Sequence, residues 1–330
     1  MTQVTTIGSV GIVKATKEMP YPRTFEEFLD WFSVESDCAA YLEWIRWPTG
    51  FVCPECGGTK AWRTDRGLWH CSGCRHQTSV TAGTVFEDSR KPLRLWFHVM
   101  WLMMAQKTGM SAKNLCDTYG FGSYQTAWGW LQKFRSVMVR SGREQLTGRV
   151  EVDETYIGGQ KEGTRGRGAE GKTLVLVAVE GDAKKRLGRV RFRCVETIDQ
   201  ATIDAFVRDY VEPGTRVVTD GLSVYDNLNA AGFKHRPHVI TTGGDAARRQ
   251  LEHVHLVISL LKRWLGGTHQ GAVTPSHLQA YLDEFSFRFN RRLSQHRGNL
   301  FYRLMQQAVT VRPPAVKDIY VSKPQPVGGT

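Results

Sequence analysis

Four cysteines in two C-x2-C pairs, Cys53-Pro-Glu-Cys56 and Cys71-Ser-Gly-Cys74, lie fourteen residues apart and constrain this chain more than any other feature. Each pair sets two thiolates about 2.3 Å from one ion, and four thiolates close a tetrahedron around Zn2+ with no open position, which makes such a metal structural. Gly57, Gly58 and Gly73 stand where the chain must wrap tightly around it. Between the pairs, Lys60 to His70 alternates polar and apolar residues, which predicts a β-hairpin. The segment is expected to be a zinc ribbon whose folding energy comes from one Zn2+ held by Cys53, Cys56, Cys71 and Cys74. The other cysteines, Cys38, Cys116 and Cys194, stand alone in apolar or mixed surroundings and are expected to be buried thiols.

The chain has 330 residues, with 44 Lys and Arg against 32 Asp and Glu, a net charge of +12. That balance favours a polyanionic partner, nucleic acid first, over acidic proteins or neutral metabolites. The richest apolar stretch, Trp96 to Ala105, is too short to span a bilayer and carries His98. No secretory pattern is visible in residues 1–23, so a soluble cytoplasmic protein with reduced cysteines and no membrane partner is expected.

Thr24-Phe-Glu-Glu27 has the form of a capping box opening a helix, with a second helix from Ser36 to Trp44 that would brace the ribbon. From Pro92 the apolar period becomes 3.6, with Leu93, Trp96, Phe97, Met100, Trp101 and Met104 as core. A short helix over Ser111 to Thr118, a turn over Tyr119 to Gly122, and a longer helix capped by Ser123 give helix-turn-helix spacing. In a DNA complex the start of that last helix would enter the major groove with Tyr124 and Gln125 near base edges. Lys113, Lys133 and Arg135 would then meet phosphates. The competing reading is a plain helical bundle.

After Gly148 the sequence turns to strands, at 150–157, 173–179, 190–195 and 216–219, with a helical pattern over 199–210 before the last. Strand, strand, strand, helix, strand is the order of an RNase H-like sheet, in which the first and fourth strands are neighbours. Asp153 sits within the first and Asp220 closes the fourth. An aspartate in a buried strand is costly to desolvate unless a cation satisfies it, so both are expected to be catalytic metal ligands. Two carboxylates sharing two divalent ions, Mg2+ or Mn2+, suit phosphodiester chemistry. A third ligand is expected from the helix beginning near Leu251, where Glu252, His255, Ser259 and Lys262 lie along one stripe. His253 points elsewhere, as a surface or structural histidine.

With those residues in hand, residues 25–300 resemble the bacterial insertion-sequence transposases of the DDE, RNase H-like superfamily, in the group with an N-terminal zinc ribbon and an ISXO-type transposase domain. The resemblance rests on Val150-Glu-Val-Asp-Glu-Thr-Tyr-Ile-Gly-Gly159, Thr219-Asp-Gly-Leu-Ser-Val-Tyr225, Ser259-Leu-Leu-Lys-Arg-Trp264 with Gly267-Thr-His269, and Tyr281-Leu-Asp-Glu-Phe-Ser-Phe-Arg-Phe-Asn-Arg-Arg292. It implies Asp153 and Asp220 as the first two ligands and a third seven residues before Lys262, which is His255 where the superfamily has glutamate. An imidazole there suits Mn2+ better than Mg2+, and Glu252, one turn back, is the alternative source of the missing acid. Lys262 is implied to hold a DNA phosphate or the attacking end.

The resemblance implies an enzyme that binds double-stranded DNA at an element's terminal inverted repeats and at a target, then cleaves and joins strands, as a homodimer or larger assembly on DNA. A catalytically inactive DNA-binding descendant and a zinc-ribbon transcription regulator are the alternatives. Lys161, Arg165 and Arg167 fall in a Gly-rich loop expected to contact DNA, Lys184 to Arg186 in a solvated hairpin turn, and Arg288, Arg291 and Arg292 in a phosphate track. The expected boundaries are 1–23 flexible, 24–90 helices and ribbon, 91–147 helix-turn-helix, 148–311 catalytic domain and 312–330 flexible.

Overall fold

The computed structural model describes residues 13–140, 142–158, 172–181, 186–238, 251–270 and 273–312. The chain divides into two compact units, and each is built on its own apolar core.

The first comprises residues 13–138 and 294–312. Thr24 caps α1 (Phe25–Trp31) by accepting from the Glu27 amide at 3.1 Å, and the Glu27 carboxylate takes the Arg23 N–H in return. The predicted box therefore forms, shifted by one donor. Helix α2 (Glu35–Arg46) leads into the ribbon strands β1 (Ala61–Arg63), β2 (Trp69–Cys71) and β3 (Gln77–Thr78), paired antiparallel in that order. Glu43 pairs with Arg63, and Arg46 donates to the carbonyls of Ser79 and Val80, so α2 braces the ribbon at both ends. Trp47, Phe51 and Trp69 pack beside Cys53 and Cys71.

Helix α3 (Leu93–Ala105) buries Trp96, Phe97, Met100, Trp101 and Met104, as its period predicts. Helices α4 (Ala112–Tyr119) and α5 (Tyr124–Ser136) follow, capped by the hydroxyls of Ser111 and Ser123. Gly120 ends α4 in the left-handed conformation, φ 63°, which releases the chain into the turn. The Trp96 and Trp130 rings stack with centroids 3.5 Å apart, tying α5 to α3.

The second unit holds β4 (Arg149–Ile157), β5 (Thr173–Gly181), β6 (Leu187–Val195), α6 (Gln200–Tyr210), β7 (Arg216–Asp220), β8 (Lys234–His238), α7 (Glu252–Thr268) and α8 (Leu278–Phe289). Its five strands run β6-β5-β4-β7-β8, with the first three antiparallel and β7 and β8 parallel to β4. This mixed sheet with helices on both faces is the RNase H-like arrangement, and the fold class is α/β as the sequence implies. On one face Val150, Val152 and Val217 pack with α6. On the other, Val175, Val177 and Val218 pack with α7 and α8.

The chain then returns to the first unit through α9 (Gly298–Ala308), whose Phe301 ring sits among Phe28, Phe32, Phe97 and Trp101. Residues 294–312 thus group with the first unit, where Phe301 finds its partners in α1 and α3. Among the described residues no helix is long and apolar enough to cross a membrane.

Candidate active site

Strand register builds the site. The parallel ladder sets Arg149 opposite Arg216, Val150 opposite Val217 and Glu151 opposite Val218, so two residues further on Asp153 meets Asp220. Both aspartates fall on the α7 face of the sheet, the face of Glu151 and Val218, at the end where the Asp220 carboxylate accepts the Leu222 amide at 3.2 Å. Carboxylate oxygens of Asp153, Asp220 and Glu154 all lie within 4.8 Å of one another. Glu154 was not singled out by the sequence reading. Its carboxylate accepts from the buried Tyr225 hydroxyl at 2.7 Å, and Tyr225 had entered only as part of a motif.

Helix α7 brings the rest of the predicted stripe. His255 Nε2 lies 3.3 Å from Asp153 Oδ2, with the imidazole about half exposed (48%) and the carboxylate nearly covered (14%). Ser259 spends its hydroxyl on the His255 carbonyl. Lys262, two turns beyond His255, has its ammonium destabilised by desolvation and by the like charge of Lys172, with Asp153 opposing both. Glu252 opens the first turn of α7 and is outside the carboxylate group.

His253 is buried, and its Nδ1 lies 3.0 Å from Glu151 Oε1. Of the two roles open to it, structural holds and surface does not. Glu151, itself fully buried, also accepts the Val254 amide at 2.9 Å and pairs with Arg149. This latch seats the first turn of α7 on β4 two residues before Asp153. Gly181 lies flat against the imidazole, since a Cβ there would stand 2.7 Å from His253 Nδ1.

In the ribbon, Cys53 and Cys74 approach to 3.6 Å between sulfurs, as do Cys56 and Cys71, and all four lie within 4.8 Å. A tetrahedron with Zn–S bonds of about 2.3 Å has edges of about 3.8 Å, so the set fits a structural Zn2+. The knuckles are near copies: the Gly57 and Arg75 amides donate back to Cys53 and Cys71, with φ 71° and 61°. Gly73 is not among the residues with positive φ, and Arg75 takes that conformation in the second knuckle instead.

At the start of α5, Tyr124 and Gln125 are exposed as the groove reading requires, and so is Lys113 on α4, paired with Asp117. Lys133 is half-buried, 5.8 Å from the Trp96 ring centroid, and burial lowers its ammonium. Arg135 corrects the sequence reading. It is 1% exposed, turned into the core beside Phe134, where no phosphate reaches it. Arg288 near the end of α8 and Arg291 and Arg292 just after it likewise form no open track. Arg288 faces buried Glu284, Arg291 lies over the Phe287 ring, and Arg292 caps the carbonyls of Gly188 and Phe289, because the segment is pinned against β6. Lys161, Arg165, Arg167 and Lys184 lie outside the described residues.

Comparison with known proteins places both units. Residues 145–290 match the ISXO2-like transposase domain, and residues 33–77 match the transposase zinc-ribbon domain. An uncharacterised protein in the transposable element ISH50 of Halobacterium salinarum is 29% identical over 279 residues, 78% of this chain and 91% of that protein. Among solved structures, the Mos1 transposase paired-end complex with the left transposon end is 13% identical over 72% of this chain and 81% of its own, with a TM-score of 0.28. The Mos1 strand transfer complex is 14% identical over 72% and 80%, with a TM-score of 0.27.

Proposed function

The chain belongs to the ISXO2-like transposases, and from that premise we propose that it binds the terminal inverted repeats of its element and catalyses DNA strand cleavage and strand transfer. The observation that carries this is the meeting of Asp153 and Asp220 on adjacent parallel strands at one end of an RNase H-like sheet.

The donor set fits divalent cations, because carboxylates converge there with an imidazole alongside. Bound Mg2+ or Mn2+ would supply activation of an attacking oxygen and stabilisation of the leaving one. Asp153 and Asp220 would hold such ions, and His255 Nε2 would offer a nitrogen at the rim. Lys262, its charge poorly compensated, takes a phosphate of the bound strand. Water adds to phosphorus at the element end and the 3′-oxygen departs, leaving a 3′-hydroxyl. That hydroxyl then attacks a target phosphodiester and displaces the 3′-oxygen of the cut target strand.

The ribbon and the α4–α5 pair hold the repeat, with Tyr124 and Gln125 at base edges and Lys113 on phosphate. Two element ends must be processed together, so a dimer or larger assembly forms on DNA. The test is strand transfer of labelled element-end DNA with Mg2+ or Mn2+, wild type against Asp153→Ala and Asp220→Ala. Joined product lost in both variants supports the reading. Specific repeat binding by the wild type without nicking or joining under either metal would replace it with an inactive DNA-binding descendant.

A further inference from the structure

We propose that Glu154 supplies the third carboxylate of the metal site, held there by the Tyr225 hydroxyl. The inference rests on the reading of the site given above and names the acid that α7 lacks.

Strand alternation sets Glu154 on the opposite face from Asp153, the face that packs on α6. A side chain leaving β4 on that side has no reason to approach Asp153 and Asp220, yet its carboxylate stands within 4.8 Å of both. The residue that directs it there is Tyr225, from the 3-10 turn Ser223–Leu228 that follows β7. The ring is fully buried and its hydroxyl donates to Glu154 Oε2 at 2.7 Å. The hydrogen bond holds the Glu154 carboxylate beside the two aspartates.

Three carboxylates this close repel one another, and a cation among them removes the cost. With Glu154 counted, the site again has three acids although α7 brings an imidazole. Hard oxygen ligands are what Mg2+ and Mn2+ require. Glu252 remains on the first turn of α7, outside the group.

The test is Mn2+ binding to the full-length, zinc-loaded protein, read from the electron paramagnetic resonance signal of free Mn2+, with unfolding curves as the check on folding. Glu154→Gln keeps an acceptor for Tyr225 and removes the charge, and it should weaken Mn2+ about 100-fold. Tyr225→Phe leaves the carboxylate without its donor and should weaken Mn2+ about tenfold, in the range found for supporting residues of metal sites. Glu154→Asp, which keeps the charge and shortens the reach, should fall between wild type and Glu154→Gln. Unchanged affinity in Glu154→Gln, with binding lost in Asp153→Asn, would overturn this inference and leave the site reading intact. Loss on Glu252→Gln in place of Glu154→Gln would overturn it by returning the missing acid to α7. Binding unaffected by Asp153→Asn would sink the site reading itself.

Discussion

His255 Nε2 stands 3.3 Å from Asp153 Oδ2, so α7 sets an imidazole nitrogen beside the first aspartate of the site. An imidazole contributes no charge and prefers a softer ion than Mg2+. Wild type should join element ends faster with Mn2+ than with Mg2+. His255→Glu should narrow or reverse that preference by adding one negative charge, and His255→Ala should lower activity with both metals on the order of 10–100-fold. Strand-transfer rates in each metal decide it, and equal dependence on the two ions in wild type and His255→Glu would remove His255 from the metal's surroundings.

The zinc knuckles offer a paired comparison, because Gly57 and Arg75 occupy the same place in each and both have positive φ. A side chain there costs roughly 1 kcal/mol or somewhat more. Gly57→Ala should therefore destabilise the ribbon by about that amount, and Arg75→Gly should return part of it, less the flexibility it adds to the unfolded chain. Unfolding midpoints of the zinc-loaded protein measure both changes. One Zn2+ per chain is expected, and a chelator that removes it should unfold the ribbon while the sheet unit keeps its structure. Opposite shifts from the two substitutions are required, and shifts of the same sign would mean that the knuckles do not share this strain.

What could be read in advance follows from how far each signal acts along the chain. Ser111, Ser123 and Gly120 form caps within four residues of the helices they bound, so α4 and α5 fall where the sequence places them. The meeting of Asp153 and Asp220 is legible because the order of strands and helix read from the sequence makes β4 and β7 neighbours in an RNase H-like sheet. Glu154 is not legible, since strand alternation alone sends it to the other face and only Tyr225, seventy-one residues away, draws it back. Arg135 fails for the same reason in reverse. A charge at a helix end reads as solvated, but Arg135 is buried, 1% exposed, in a helix whose Leu131 and Phe134 are buried too. The return of α9 to the first unit depends on Phe301 meeting five aromatic rings from distant segments, which no local pattern reports.

Glu180 gives the sheet unit a defined acid sensitivity. Burial works to raise its pKa, but the hydrogen bonds from the Arg189 side chain, the Thr147 amide and the Arg189 amide outweigh it and hold the carboxyl down to about 2. A folded pKa below the unfolded value of 4.5 contributes stability that is present above about pH 4.5 and is lost as pH falls toward 2. Wild type should lose stability across that window, and Glu180→Gln should be less stable at neutral pH and flatter below pH 4.5. Urea unfolding at a series of pH values checks the slope. The same slope in both proteins would mean that other carboxylates set the acid response.

The start of α5 separates two kinds of DNA contact. Tyr124 and Gln125 project from the first turn beside the Ser123 cap, where a helix entering the major groove brings its residues to base edges. Lys113 lies on α4 as an exposed charge already paired with Asp117, and it carries no information about base identity. Gln125→Ala should lower affinity for the element's own end by about 1–3 kcal/mol while leaving binding to unrelated DNA nearly unchanged. Lys113→Ala should weaken both to a similar degree and reduce the slope of log affinity against log salt by about one. Arg135→Ala should destabilise the helical unit through its lost packing and leave that slope unchanged, because its guanidinium is inside. Binding titrations at several salt concentrations, on end and non-end duplexes, resolve the three. If Gln125→Ala weakened both DNAs equally, α5 would be a backbone contact and the base readout would lie elsewhere in the first unit.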